Sequence, residues 1–252
     1  MRLAIVTGTS RGLGEATAQL LLESNIHVFG ISRSPNKHLE TVADEHKIPY
    51  THYSCDLSHI QAVEKTCKAI SERLNETDIE TLYLINNAAA LEPIDKSINI
   101  NREDLVHHIH VNTVAPMLMT NYFLKQATEQ NFHLYAVTVT SGAATRPVYG
   151  WSAYCSTKAS INMYTKTVAL EQSELKTGHK VFAFSPGIMD TAMQETIRSS
   201  SREAFIEVDT FKQYKEDHQL KNPRHIGSIL VDILTDETNI ENGKIYNASH
   251  YI

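Results

Sequence analysis

Tyr154 and Lys158 stand four residues apart in Tyr154-Cys155-Ser156-Thr157-Lys158, with Ser141 thirteen residues upstream. On a helix that spacing puts the phenol and the amine on one face, a turn apart. An ammonium beside a phenol favours the phenolate, so a tyrosine whose ordinary pKa is about 10 becomes a usable proton donor or acceptor near neutrality. With 11 tyrosines in 252 residues such a pair also arises by composition, so the rest of the chain must decide.

The first turn offers a partner for that chemistry. Thr7-Gly8-Thr9-Ser10-Arg11-Gly12-Leu13-Gly14 follows a β-rich run and precedes a helical pattern. Glycines here let the backbone turn tightly against a diphosphate whose charge the helix N-terminal amides meet, which makes Gly8, Ser10, Arg11, Gly12, Leu13 and Gly14 candidate cofactor contacts. About twenty residues on, where an NAD site carries an acidic residue for the ribose 2′-hydroxyl, the chain reads Gly30-Ile31-Ser32-Arg33. Arg33 can take a 2′-phosphate in its planar fork and Arg11 can add a second cation, so NADPH is expected over NADH. Asp56 and Leu57 follow the third β-run. The Asp56 carboxylate can accept from an adenine amino group or cap a helix starting near Ser58. Asn86-Asn87-Ala88-Ala89 ends the fourth run, where amides can tie neighbouring backbones together and leave Asn87 and Ala88 against the cofactor.

A long helix precedes the segment that carries Ser141. Asn101 is its expected N-cap, and Leu105, Ile109, Asn112, Pro116, Met119 and Phe123 fall on one stripe. Asn112 is the polar member of that stripe and needs partners, either in the chemistry or in a neighbouring loop. Pro116 has no N–H for the Asn112 carbonyl, so a kink is expected there, with a freed carbonyl able to hold a water. His107, His108 and His110 on the same helix have no metal-ligand spacing and are expected on a solvated or interface face; no metal site is expected.

The elements that must position these groups alternate from end to end: β-rich runs at Leu3 to Thr7, Val28 to Ile31, Thr51 to Ser54, Leu82 to Asn86, Tyr135 to Thr140, Val181 to Phe184 and Lys244 to Tyr246, with helical patterns between. The alternation predicts an α/β, Rossmann-type doubly wound parallel sheet of about seven strands with helices on both faces, one domain over 1–252. Only 189–221, charged and helical, breaks the rhythm; it reads as an excursion over the site. A net charge of −6 argues against nucleic acid as a partner, and no apolar run reaches membrane-spanning length. Strand-like residues from Met1 leave no room for a leader, and three cysteines without CxxC spacing suit a reducing compartment, so a cytoplasmic protein is expected. Cys155 reads as a small buried filler.

Strand five runs into Val139-Thr140-Ser141-Gly142-Ala143, then a loop carrying Pro147 and Gly150, then Tyr154 and Lys158. With the glycine turn, Asn86 to Ala89, Asn112 and Pro186-Gly187, this set resembles the short-chain dehydrogenase/reductase family over the whole chain. Ala89 departs from it, standing where the family usually has Gly. The resemblance implies a tetrad in which Tyr154 protonates a carbonyl oxygen as hydride arrives from a nicotinamide. Lys158 would lower the phenol's pKa and hold the ribose, Ser141 would bind the carbonyl, and Asn112 would keep a water in the proton relay. It also implies that Pro186, Gly187 and Ile188 meet the nicotinamide, with Thr191 nearby. The loop Ala143 to Trp151 and the stretch Met189 to Ile197 would form the pocket; Tyr149, Trp151, Met189 and Met193 either line it for an aromatic ketone or diketone or pack a lid. Other carbonyls, a pteridine side-chain ketone or a 3-oxoacyl thioester, and a silent NADPH-binding regulator are the alternatives. A homodimer or homotetramer through the helices of Asn112 and Tyr154 is implied.

Overall fold

Leu3-Ala4-Ile5-Val6 is an unbroken apolar run and needs cover on both faces; in the computed structural model, which describes residues 1–252, it has it. The first half of the chain runs β1 (Arg2–Thr7), α1 (Gly12–Glu23), β2 (His27–Ser32), α2 (Lys37–His46), β3 (Tyr50–Ser54), α3 (Ile60–Leu74) and β4 (Thr81–Asn86). The second half runs α4 (Arg102–Ile109), α5 (Ala115–Gln130), β5 (His133–Val139), α6 (Ser152–Leu175), β6 (Lys180–Ser185), α7 (Ala192–Arg198), α8 (Val208–Glu216), α9 (Pro223–Thr235) and β7 (Ile245–Asn247). All seven strands pair in parallel, in the order β3-β2-β1-β4-β5-β6-β7. The seven β-runs read from the sequence are these seven strands, each within two residues at either end.

Two cores result. One packs side chains of α1, α2 and α9 on one face of the sheet; the other packs α3, α5 and α6 on the opposite face. Burial of this much apolar surface, at roughly 25 cal/mol per Å², is the main stabilising term and holds the strand ends rigid. The direction of winding reverses between β1 and β4, which opens a crevice beyond their C-terminal ends.

The helix before β5 is broken as its proline requires. A wide π-type turn, His110–Val114, separates α4 from α5, and the Ala115 amide reaches back to the His110 carbonyl. Pro116 has no amide for the Asn112 carbonyl and its ring would crowd it, so the ladder slips by one residue. Asn101 caps α4, accepting from the Asp104 amide at 2.8 Å. The predicted buried stripe holds only in part: Asn112, Pro116, Met119 and Phe123 are buried, but Leu105 and Ile109 are exposed, α4 packing on α6 and not on the sheet. No helix is long and apolar enough to cross a membrane.

A small third core sits above the strand ends. Leu91, Ala143, Val148, Trp151 and Tyr154 pack against Ile197, Phe205, Val208 and Phe211 of the excursion. Trp151 stacks on Phe205 at 4.8 Å between ring centroids and meets Phe211 edge-on at 5.6 Å. The excursion is tied at its rims by a bidentate Arg146 to Glu207 pair at 2.9 Å and by Lys96 to Glu203 at 3.1 Å. Its returning end pairs with the β6 exit, the Lys221 amide donating to the Ile188 carbonyl and the Asp190 amide to that of Lys221.

Candidate active site

The glycine turn is built for close approach. Gly8 and Gly12 hold φ of +77° and +65°, where a side chain is strained. A methyl on Gly14 would overlap the Gly8 carbonyl and the Asn87 amide nitrogen. Asn87 locks this geometry: its Nδ2 donates to the Thr7 carbonyl at 2.9 Å, while its own amide and that of Ala88 each donate to Thr7 Oγ1 at 3.0 Å. Asn86 reaches the other way, donating to Thr120 Oγ1 on α5 at 3.0 Å rather than to a strand. The amides opening α1 receive no side-chain cap from Arg11, which leaves them directed at the crevice. Leu13 is buried in the core and can offer a ligand only its backbone. Uncapped amides, glycines that clear the approach and a crevice at the switch point fit a dinucleotide diphosphate.

Around this turn stand the other predicted cofactor residues. Ser10, Arg11 and Arg33 are exposed at the crevice rim, and Thr191 closes it from above, its methyl 3.6 Å from where a Cβ on Gly12 would sit. Gly187 turns with φ of +74° between buried Pro186 and half-buried Ile188. Asp56 makes a local turn: Oδ1 accepts from the Ser58 amide at 2.9 Å and its hydroxyl at 2.7 Å, and α3 starts later than expected, at Ile60. Burial pushes that carboxyl up, but Ser58, His59 and Arg33 together hold it below its ordinary value. Leu57 packs against the α3 core.

Tyr154 and Lys158 stand on the first turns of α6, both buried, with Ser141 at the end of β5 facing the phenol. Lys158 Nζ lies 5.7 Å from the Tyr154 ring centroid and donates to the Val139 carbonyl at 2.8 Å. The expected acidification of the phenol does not appear in this geometry. Burial pushes Tyr154 up to about 12, offset only in part by the Ser141 hydroxyl, and pushes Lys158 down to about 8. Desolvation outweighs the lysine because Nζ points at a backbone carbonyl and not at the phenol oxygen.

Asn112 sits in the π-type turn with its side chain fully used. Oδ1 accepts from the Ala90 amide at 2.7 Å, and Nδ2 donates to the Ala90 carbonyl at 2.8 Å. Of the two readings of this buried amide, partnership with a neighbouring loop is the one its side chain follows; its carbonyl is the group Pro116 leaves without a helical donor.

One pair of alternatives narrows and one expectation is corrected. Trp151 is buried and stacked into the excursion, which is the lid-packing alternative; Tyr149 is exposed, Met193 and Ile94 are half-buried against the third core, and Met189 is half-buried against the core of α1, α2 and α9. The three histidines do not share one solvated or interface face: His107 on α4 is exposed, His110 in the π-type turn is half-buried on the Ser58 carbonyl at 2.8 Å, and His108 on α4 is fully buried among Glu92, Asn112 and Thr157. No group of three or more metal-ligating side chains occurs. Cys155 is half-buried against the third core with its thiol pushed up by burial, an inert filler. Sequence reasoning missed His108 and Asn36, whose Nδ2 donates to the Thr9 carbonyl at 3.1 Å and to Glu15 at 2.9 Å, bracing the glycine turn. Their signal was weak, since both act through partners distant in the chain that only the fold brings close.

A family model described as short chain dehydrogenase matches residues 2–202. A benzil reductase ((S)-benzoin forming) of Bacillus cereus is 37% identical over 94% of this chain and 95% of its own length. One of Bacillus subtilis is 34% identical over the whole of both chains. Mouse sepiapterin reductase is 28% identical over 80% of this chain and 79% of its own. Among solved structures, NAD+-bound xylitol dehydrogenase superposes with a TM-score of 0.83 at 19% identity, covering 98% of this chain and 96% of that one. Levodione reductase gives 0.82 at 20% identity, covering 98% and 95%. Fold, crevice, full-length relatives and family match agree, and the chain is an oxidoreductase of the short-chain dehydrogenase/reductase family, whose members use NAD(H) or NADP(H).

Proposed function

We propose that this protein is an NADPH-dependent carbonyl reductase that converts one carbonyl of an aryl diketone, benzil above all, to the chiral alcohol (S)-benzoin. The observation that carries the reading is a buried Tyr154, its phenol pushed up by burial and bonded to Ser141, one helical turn from Lys158. Bound in that crevice, a reduced nicotinamide supplies the hydride. Ser141 donates to the carbonyl oxygen and holds it in line. Tyr154, which keeps its proton at neutral pH, gives it to that oxygen as negative charge develops. Lys158, still mainly cationic at neutrality, stabilises the phenolate that remains, and the Asn112 carbonyl in the π-type turn holds a water through which the phenol is reprotonated.

NADPH rather than NADH rests on Arg11 and Arg33 at the crevice rim and on Ser32, where a 2′-hydroxyl reader would place a carboxylate. The aromatic substrate rests on half-buried Ile94 and Met193 against the third core, which Tyr154 joins, and on the names of the two Bacillus relatives. The enzyme is cytoplasmic and works as a homodimer or homotetramer.

Loss of reduced nicotinamide is followed with benzil and either NADPH or NADH, and product chirality is read by chiral chromatography. Wild type consumes NADPH preferentially and yields (S)-benzoin, while Tyr154→Phe loses roughly 10²–10⁴-fold in kcat yet still binds NADPH. Unchanged turnover in Tyr154→Phe defeats the assigned chemistry; faster use of NADH defeats the role given to the arginines.

A further inference from the structure

One fully buried titratable group in the active-site region has no part in the reaction as set out. His108, buried in the last turn of α4, bridges the Glu92 loop and two segments that carry reacting groups, the π-type turn with Asn112 and α6 with Tyr154 and Lys158. Its Nδ1 lies 2.7 Å from the Glu92 carbonyl oxygen, and its Nε2 lies 3.0 Å from Asn112 Nδ2 and 3.1 Å from Thr157 Oγ1. A carbonyl oxygen only accepts, so Nδ1 carries the hydrogen.

The other side of the ring is fixed independently. Ala90 reads both ends of the Asn112 amide, its N–H meeting Oδ1 and its carbonyl meeting Nδ2. The second N–H of Asn112 therefore points at His108 Nε2, which must accept. Thr157 Oγ1 has one hydrogen to give, which the unprotonated Nε2 can accept; the same oxygen lies 3.0 Å from the Ala153 carbonyl and 3.1 Å from that of Tyr154, so the imidazole rests against the helical turn that carries the phenol. The Tyr154 ring itself lies edge-on to the imidazole at 6.2 Å.

We propose that His108 is a positioning residue for carbonyl reduction: as the neutral Nδ1–H tautomer it orients Asn112 and the first turn of α6, and protonation releases both. Only a neutral imidazole offers a donor on one edge and an acceptor on the opposite one; a side-chain amide carries both at a single end. An imidazolium would turn an N–H onto the Asn112 N–H, and Asn112 cannot flip to receive it without mismatching both Ala90 contacts.

The surroundings disfavour the charged ring. Lys158 faces it from α6 and His107 from its own helix, both carrying or able to carry positive charge, while Tyr154 faces it as a neutral phenol and Glu92 offers only its carbonyl. Burial first, then Lys158 and His107, hold the imidazole below its ordinary value against the pull of the Glu92 carbonyl.

The proposal rests on the reading of Ser141, Tyr154, Lys158 and Asn112 given above, and the test separates the two. Nitrogen-15 NMR of the wild-type histidine side chains reads tautomer and titration, and pH profiles of kcat/KM for benzil are taken for wild type, His108→Gln and His108→Phe. The expected spectrum shows Nδ1–H with unprotonated Nε2 at neutrality, titrating below about 6.5. The wild-type profile falls on the acid side with the same midpoint. In the variants kcat drops about tenfold, KM for NADPH holds within about twofold, and that acid limb disappears. Should the variants not fold, coincidence of the NMR and kinetic midpoints in wild type supports the proposal and separate midpoints overturn it. A folded His108→Gln with wild-type kcat and acid limb, or an Nε2–H tautomer at neutrality, also overturns it. Full activity in Tyr154→Phe would instead strike the reading of the site, leaving the NMR result to decide His108.

Discussion

Burial sets the charge of the two groups that share the reaction's proton. Tyr154 is driven up to about 12 and Lys158 down to about 8, so near neutrality the phenol holds its proton and the amine is mostly cationic. Reduction needs both forms. As pH rises, Lys158 gives up its charge first, while the phenol stays protonated until far higher. The kcat/KM for ketone reduction should therefore fall as pH rises through about 8, and a profile flat across that range would exclude a charge role for Lys158. Linkage gives the opposite trend for stability: the folded amine titrates below its unfolded value, so burying it costs stability at neutral pH, a cost that fades as pH rises toward about 10.4. Lys158→Met should abolish turnover while melting no lower than wild type. At this scale the sequence was informative where a residue's role depends on its neighbours in the chain. Gly8 and Gly14 and the pair Tyr154 and Lys158 are such cases. His108, read as part of a solvated or interface face, is instead buried against Glu92 and against Thr157 of α6, contacts that no spacing within α4 reveals.

Between residue and molecule, the excursion matters most. Its contact with the loop before α6 is close enough to exclude a side chain: Gly150 holds φ of +83°, and a methyl there would overlap the Ala204 carbonyl. Gly150→Ala should push the Phe205 segment off Trp151. We expect a lowered melting temperature and a KM for benzil raised about tenfold, with KM for NADPH little changed, measured by thermal denaturation and steady-state kinetics. An unaltered KM would show that the packed excursion does not shape the pocket. Elements themselves were legible. Seven apolar runs spaced by helical patterns leave little choice but a parallel sheet, and Asn101 and Pro116 marked the start and the break of the helix before β5. The length of the buried stripe was not legible, since Leu105 and Ile109 continue the apolar period of α5 beyond the edge of anything that covers them.

That leftover apolar surface belongs to the molecule as a whole. Leu105, Val106 and Ile109 on α4 are exposed, and on α6 Met163 and Leu170, seven residues apart on one face, are 65% and 61% exposed. Association through these helices would cover them and stiffen the elements that carry Asn112 and Tyr154. Sedimentation of Met163→Glu/Leu170→Glu should show a smaller species than wild type with lower thermal stability; an unchanged oligomer would move the interface elsewhere. Topology carries a consequence for biosynthesis too. β1 to β4 pair among themselves using nothing beyond Asn86, with the glycine turn and its Asn87 lock at one end. A chain emerging from the ribosome can thus form the glycine turn of its nucleotide crevice while the segment bearing the proton donor is still untranslated, and available dinucleotide could steady that half-made sheet before the rest of the enzyme exists.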